Sequence, residues 1–103
     1  MQVKFTTVAR NELKRILDVY IEFADIMSAE KFGALIDRQI GILSKHPYIG
    51  HPEPLLADYQ YDFRSKSINE NYSIIYVILD NTWWIYDFWD RRHNPKRLKA
   101  RIK

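Results

Sequence analysis

The sequence has no cysteine, which removes disulfides, thiolate metal ligands and a cysteine nucleophile, and suits a reducing compartment. Only three glycines and four prolines occur, and they form no glycine-rich phosphate loop and no nucleophile elbow. His46 and His51 sit in one loop-like stretch without further ligands at zinc spacing, so no metal and no cofactor is expected. No apolar run approaches the roughly 18 residues needed to span a bilayer, and the start MQVKFTTVARNELK has no apolar leader core. The expectation is a soluble cytoplasmic protein without membrane contact. Internal repeats and low-complexity tracts are also missing. Acidic residues are absent after Asp90.

What is present is a chain of 103 residues, 47% apolar and 15% aromatic, long enough for one modest core in a single domain, 1–103. The stretch from Tyr59 to Leu98 organises it. Three runs, YQYDFRSKSI, YSIIYVIL and TWWIYDFW, are rich in aromatic and β-branched residues and are separated by NEN and DN turns. They predict a three-stranded antiparallel meander. Alternation in the first run sets Tyr59, Tyr61 and Phe63 against Gln60, Asp62, Arg64 and Lys66. Two cations therefore share one face, and the last strand runs directly into Asp90, Arg91, Arg92 and His93, placing further basic groups beside them.

Ahead of the meander, Val3 and Phe5 alternate with Gln2 and Lys4 as a short strand. Thr6 or Thr7 then caps an amphipathic helix of about 18 residues. Ser28 is expected to cap a second helix, with Phe32, Leu35, Ile36, Ile40 and Leu43 as its apolar stripe. The two form a helical hairpin on one side of the sheet. The segment KHPYIGHPEPLLA, with three of the prolines, reads as a loop that cannot continue as sheet. Asn94 and Pro95 open a short terminal helix. The predicted core is Leu13, Leu17, Tyr20, Phe32, Leu35, Ile36, Leu43, Ile75 and Val77. In the last strand, Trp84, Tyr86 and Phe88 face away from Trp83, Ile85 and Trp89, and one hairpin covers one face only. The other face is expected to need a partner's cover. The fold class is α+β, in the order β-α-α-β-β-β with a short C-terminal helix.

Charge is unevenly spread. Of 16 Lys and Arg, seven lie from Arg91 to Lys103, leaving nine basic against 13 acidic residues elsewhere, so the body carries −4 and the terminal segment +7. Such a field favours an anionic partner. Lys96, Arg97, Lys99 and Arg101 are the candidate nucleic-acid-binding residues.

The order of elements, Pro47 to Gly50 as a P-x-x-G loop, the Arg-bearing strand, the run NYSIIYVI and the ending DRRHNPKRL together resemble the RelE/ParE superfamily of type II toxin–antitoxin toxins. The resemblance covers nearly the whole chain. It implies a compact α/β domain with a cleft on its sheet and a cognate antitoxin that occludes the cleft. Arg64 and Lys66 match the basic pair on the first meander strand of the ribosome-dependent mRNA endonucleases. Arg92 or Arg91 matches the basic position after the last strand. Ser73 departs from the pattern, because those nucleases often carry arginine immediately after the tyrosine.

Two activities follow from the resemblance. In the first, the ribose 2′-OH attacks phosphorus, Arg64 and Arg92 (or Arg91 in its place) stabilise the growing charge, and Lys66 or His93 assists proton transfer, so the partner is the ribosome with its mRNA. In the second, the same surface docks on DNA gyrase and stalls it without cleavage. A non-toxic interaction module is the remaining alternative.

Overall fold

The computed structural model describes residues 2–102. Thr6 caps the first helix, its side chain accepting from the Ala9 N–H at 3.1 Å, and the helix α1 runs Thr7–Phe23. Its stripe of Ala9, Ile16 and neighbours faces the sheet. The second helix begins three residues earlier than the sequence suggests. Asp25 is its cap, accepting from the Ser28 N–H at 2.7 Å, and α2 runs Ile26–Lys45. Ser28 thus supplies the donor, not the cap. A carboxylate at this position also complements the helix dipole, and that hydrogen bond holds the Asp25 pKa below its ordinary value.

Strand β1 (Gln2–Phe5) precedes the hairpin. After α2 come β2 (His51–Pro52), a 3-10 turn at Pro54–Leu56, β3 (Arg64–Ser67), β4 (Tyr72–Leu79), β5 (Thr82–Asp90) and the helix α3 (Pro95–Arg101). They form one five-stranded sheet in the order β1-β5-β4-β3-β2, antiparallel except for the parallel β1–β5 pair. The class is α+β, as the sequence indicates.

Three local expectations change. The proline-rich segment does enter the sheet, because His51 and Pro52 pair with Ser65 and Arg64 at the edge, where a missing N–H is tolerated. The first meander strand is shorter than Tyr59–Ile68, because residues 59–62 turn to cover the sheet. Alternation also breaks within β5. Ile75 pairs with Asp87 but Tyr76 pairs with Ile85, so Tyr86 is an extra residue in a bulge. The Thr6 hydroxyl donates to the Tyr86 carbonyl at 3.1 Å, which satisfies one group the bulge leaves free. Beyond it Phe88 joins Trp83 and Ile85 under the hairpin, and Trp89 moves to the opposite face.

Both faces therefore carry a core. Under the hairpin lie Phe32, Ile36, Leu43, Ile74, Tyr76, Trp83 and Phe88, with Leu13, Leu17, Tyr20 and Leu35 partly buried against them. Ile75 and Val77 belong to the other side, packed with Leu56, Phe63, Trp89, Leu98 and Ile102. The second face is thus covered largely from within, by α3 and the 54–63 segment, rather than left wholly for a partner. Tyr59 fastens that cover, its hydroxyl lying 2.7 Å from the Lys99 carbonyl and 3.0 Å from that of Ile102. Among the described residues, no helix is long and apolar enough to cross a membrane.

Candidate functional site

On the α3 side of the sheet, between β2 and the start of α3, a cavity of about 220 Å³ remains open. Small side chains make the space. Ser65 and Ser67 of β3 and Ser73 of β4 continue the face on which Phe63 and Ile75 are buried. His51 and Glu53 enter from the β2 edge, and Arg91 and His93 from the turn after β5.

The groups are held by one another. Ser65 Oγ donates to Glu53 Oε2 at 3.1 Å and lies 3.1 Å from His51 Nε2. Arg91 Nη1 donates to Ser67 Oγ at 2.9 Å and to Ser73 Oγ at 2.8 Å, and Nη2 donates to the Asn69 carbonyl. Its own N–H bonds the Asn71 carbonyl at 2.8 Å. Among the described residues no carboxylate pairs with Arg91, so this cation is fixed by neutral oxygens and keeps its charge for a ligand. His93 packs edge-on against Trp89, with Nε2 3.6 Å from Asp90 Oδ2. The cavity thus combines a preorganised guanidinium, two imidazoles, a carboxylate and serine hydroxyls, a set able to hold an anion and move protons.

The expected basic cluster does not converge. Arg64 and Lys66 alternate with Ser65 and Ser67 and so lie on the hairpin face, opposite the cavity. Arg64 has a local task there, donating to the Gly50 carbonyl at 2.8 Å and the Tyr48 carbonyl at 3.3 Å, and pairing with Asp62 at 3.1 Å. Arg92 turns the same way, forked onto Asp90 with both bonds at 2.9 Å and lying over the Tyr72 ring. That fork raises the Arg92 pKa and lowers the Asp90 pKa, while burial raises the Tyr72 pKa. Of the predicted five, only Arg91 and His93 reach the cavity.

On α3, Lys96 and Arg97 are exposed. Lys99 is paired with Asp58 at 2.8 Å, which lowers the carboxyl pKa and raises that of the amine. Arg101 bridges Asp87 at 2.6 Å and Glu12 at 3.3 Å, and therefore serves to dock α3. Glu53, Ser65 and Ser67 are not among the candidates the sequence offers, and His51 enters there only as a metal ligand without partners. The available signal was alternation, which carries the apolar face of Tyr61 and Phe63 onward into two serines.

The family model for ParE toxins of type II toxin–antitoxin systems, parDE, matches residues 3–95. Among solved structures, the chromosomal ParDE toxin–antitoxin system from P. aeruginosa superposes with a TM-score of 0.71 at 20% identity, covering 87% of this chain and 95% of that one. The YoeB dimer from Staphylococcus aureus gives 0.60 at 21%, covering 85% and 93%. The YoeB/ParE toxin from Agrobacterium tumefaciens gives 0.63 at 16%, covering 88% and 99%. At these identities the structural likeness concerns the fold. Among curated proteins none matches the sequence.

Proposed function

We propose, because this chain belongs to the ParE toxin family of type II toxin–antitoxin systems, that it arrests growth when free of its antitoxin and does so by cutting RNA in the cavity on the α3 side of the sheet. The observation that carries this reading is the convergence of Arg91, His93, His51 and Glu53 on one cavity. RNA brings its own nucleophile. The ribose 2′-OH gives its proton to Glu53 or His51 and attacks phosphorus. The phosphorus–O5′ bond breaks, and protonated His93 returns a proton to the leaving 5′-oxygen. The products are a 2′,3′-cyclic phosphate and a free 5′-hydroxyl. Arg91 stabilises the charge that grows on the phosphoryl oxygens, a task for which its planar fork is suited.

Ser73 then has a use. Arginine often stands after the tyrosine in the nucleases that the chain resembles, whereas here a guanidinium rests 2.8 Å from the Ser73 hydroxyl, delivered from Arg91. The cation comes from another strand end to the same part of the sheet.

A second reading, docking on DNA gyrase without cleavage, rests on the resemblance to the gyrase-directed branch of the superfamily and is favoured by the placement of Arg64 and Lys66 away from the cavity. The two are separated by adding the purified chain to a ribosome-programmed mRNA and, in parallel, to a gyrase supercoiling reaction. Cleavage that disappears in Arg91→Ala and His93→Ala supports the nuclease. Supercoiling inhibition with intact mRNA at every concentration overturns it.

A further inference from the structure

His51 and Ser65 face each other directly across the β2–β3 pair, and Glu53 follows two residues after His51 on the same side of that edge. The edge is held close to the sheet. Glu53 donates its N–H to the Phe63 carbonyl at 2.9 Å, and Gly50, just ahead of His51, donates its own to the Tyr76 hydroxyl at 3.0 Å. Ser65 Oγ therefore stands between two side chains, 3.1 Å from Glu53 Oε2 and 3.1 Å from His51 Nε2.

A serine hydroxyl has one hydrogen to give and lone pairs with which to receive. Ser65 is 4% exposed, so this hydroxyl is turned to the protein rather than to solvent. Its hydrogen goes to Glu53, because an ionised carboxylate can only accept. Nε2 must then be the donor in the other contact, since two lone pairs facing each other at 3.1 Å would leave both groups unpaired. The chain of bonds has one direction, from His51 Nε2–H to Ser65 Oγ–H to Glu53 Oε2. In the neutral ring the remaining lone pair is then at Nδ1, which has no hydrogen-bond partner among the described residues.

We propose that Ser65 is a positioning residue which, by fixing this tautomer, makes His51 Nδ1 the atom that takes the ribose 2′-OH proton, with Glu53 acting through Ser65 on the ring rather than on the substrate. The inference deepens the cleavage reading of the cavity and rests on it. As the 2′-O–H bond breaks, the proton passes to Nδ1 and the electron pair of the 2′-oxygen forms the bond to phosphorus. The phosphorus–O5′ pair leaves with O5′, which takes the proton of His93. His51 becomes an imidazolium, so its bond to Ser65 gains an ionised donor and strengthens, with the carboxylate's charge one bond further on. Exposure agrees with this order, because His51 is exposed at the cavity and Glu53 only half-buried behind it, so the ring is what RNA meets first. Imidazole is also the better suited of the two groups to proton transfer near neutrality.

Heteronuclear NMR of the full chain, isotope-labelled at the histidine nitrogens, reads the tautomer without any substrate, and the loss of signals in His51→Gln assigns the ring. At a pH where the ring is neutral, the wild type should carry its hydrogen on Nε2 and Ser65→Ala should show a mixture of tautomers. Hydrogen on Nδ1 in the wild type would overturn the proposal and leave the nuclease reading standing. In cleavage of ribosome-programmed mRNA, Ser65→Ala, with folding verified by thermal melting, should lower kcat about tenfold at unchanged KM, and Ser65→Thr, which keeps the hydroxyl, should recover most of that loss. Because Glu53 works through Ser65, adding Glu53→Gln to Ser65→Ala should cost less than about threefold more. A further loss of about 100-fold in that background would make Glu53 the base that touches the substrate, and would overturn the proposal. Absence of cleavage by the wild type would overturn the nuclease reading itself, and with it the task given to His51, whichever tautomer the ring holds.

Discussion

Arg101 of α3 donates through Nη2 to Asp87 Oδ1 of β5 at 2.6 Å, and Asp87 is completely buried. The same nitrogen lies 3.3 Å from Glu12 of α1, so a single guanidinium ties the terminal helix to both the sheet and the hairpin. Asp87 Oδ2 has no hydrogen-bond partner among the described residues. Burial therefore dominates, lifting the Asp87 pKa to about 6 against the pull of Arg101.

Stability should fall between pH 4 and pH 7 on this account. The native state holds the Asp87 proton up to about pH 6, whereas the unfolded chain releases it near 3.8, so the contribution is complete below the lower value and lost through the higher. At 1.36 kcal/mol per unit the span amounts to about 3 kcal/mol as an upper bound. Asp90, whose pKa is lowered by Arg92, has the opposite sign and loses its contribution only at lower pH. Urea unfolding from pH 4.5 to 7.5 should show the slope in the wild type and a flatter profile in Asp87→Asn.

Arg101→Met should leave Asp87 without its cation, while Glu12 keeps Arg15. A loss of roughly 3 to 5 kcal/mol is expected at pH 7.5, the range for removing one partner of a buried pair. The loss should shrink at pH 5, where Asp87 takes up a proton. Equal destabilisation at both pH values would show that the ion pair is not what docks α3.

Arg64→Ala and Arg91→Ala should separate folding from activity. The Arg64 side chain is only 20% exposed and holds two carbonyls of the Tyr48–Gly50 loop, so its removal should cost about 1 to 3 kcal/mol. Its activity per folded molecule should change little. Arg91→Ala should instead lower turnover about 100- to 1000-fold, as for loss of one preorganised donor, with a smaller effect on stability. Cleavage rates normalised to folded fraction check both.

Gly50→Ala should destabilise the loop that carries His51. An added Cβ would meet the Tyr76 hydroxyl and lie 2.8 Å from the Ser65 carbonyl oxygen, inside contact distance. Overpacking of this kind costs about 1 to 3 kcal/mol. The Tyr76 hydroxyl, bonded to the Gly50 N–H and the Pro47 carbonyl at 3.0 Å each, cannot move freely, so Tyr76→Phe should cost about as much. Thermal melts of both variants test the placement of this loop.

Local physics in the chain was enough to mark most of the elements, but not β2, the start of β3 or the cap of α2. Apolar steps of three and four residues mark α1 and α2, β-branched and aromatic runs mark β4 and β5, and Asp80 and Asn81, with φ of 52° and 58°, make the tight turn between them. Asn94 and Pro95 mark the start of α3, its side-chain cap visible in the bond to Lys96 N–H at 3.0 Å. Sidedness was another matter. Alternation alone cannot show the extra residue at Tyr86, which exchanges Phe88 and Trp89 between the two cores, because a bulge depends on the register with β4 and on the contact with Thr6. Nor could it bring His51 and Glu53 to Ser65, which requires the β2 edge pairing across an intervening loop. The same limit explains the basic residues. Their sequence clustering predicted one patch, yet Arg64 and Lys66 point to the hairpin, Arg101 is drawn inward by Asp87, and only Arg91 and His93 meet at the cavity. The chain specifies charge and periodicity locally. Which charges share a solvent-filled space is set by which faces of the sheet are covered, and that emerges only when distant segments pack.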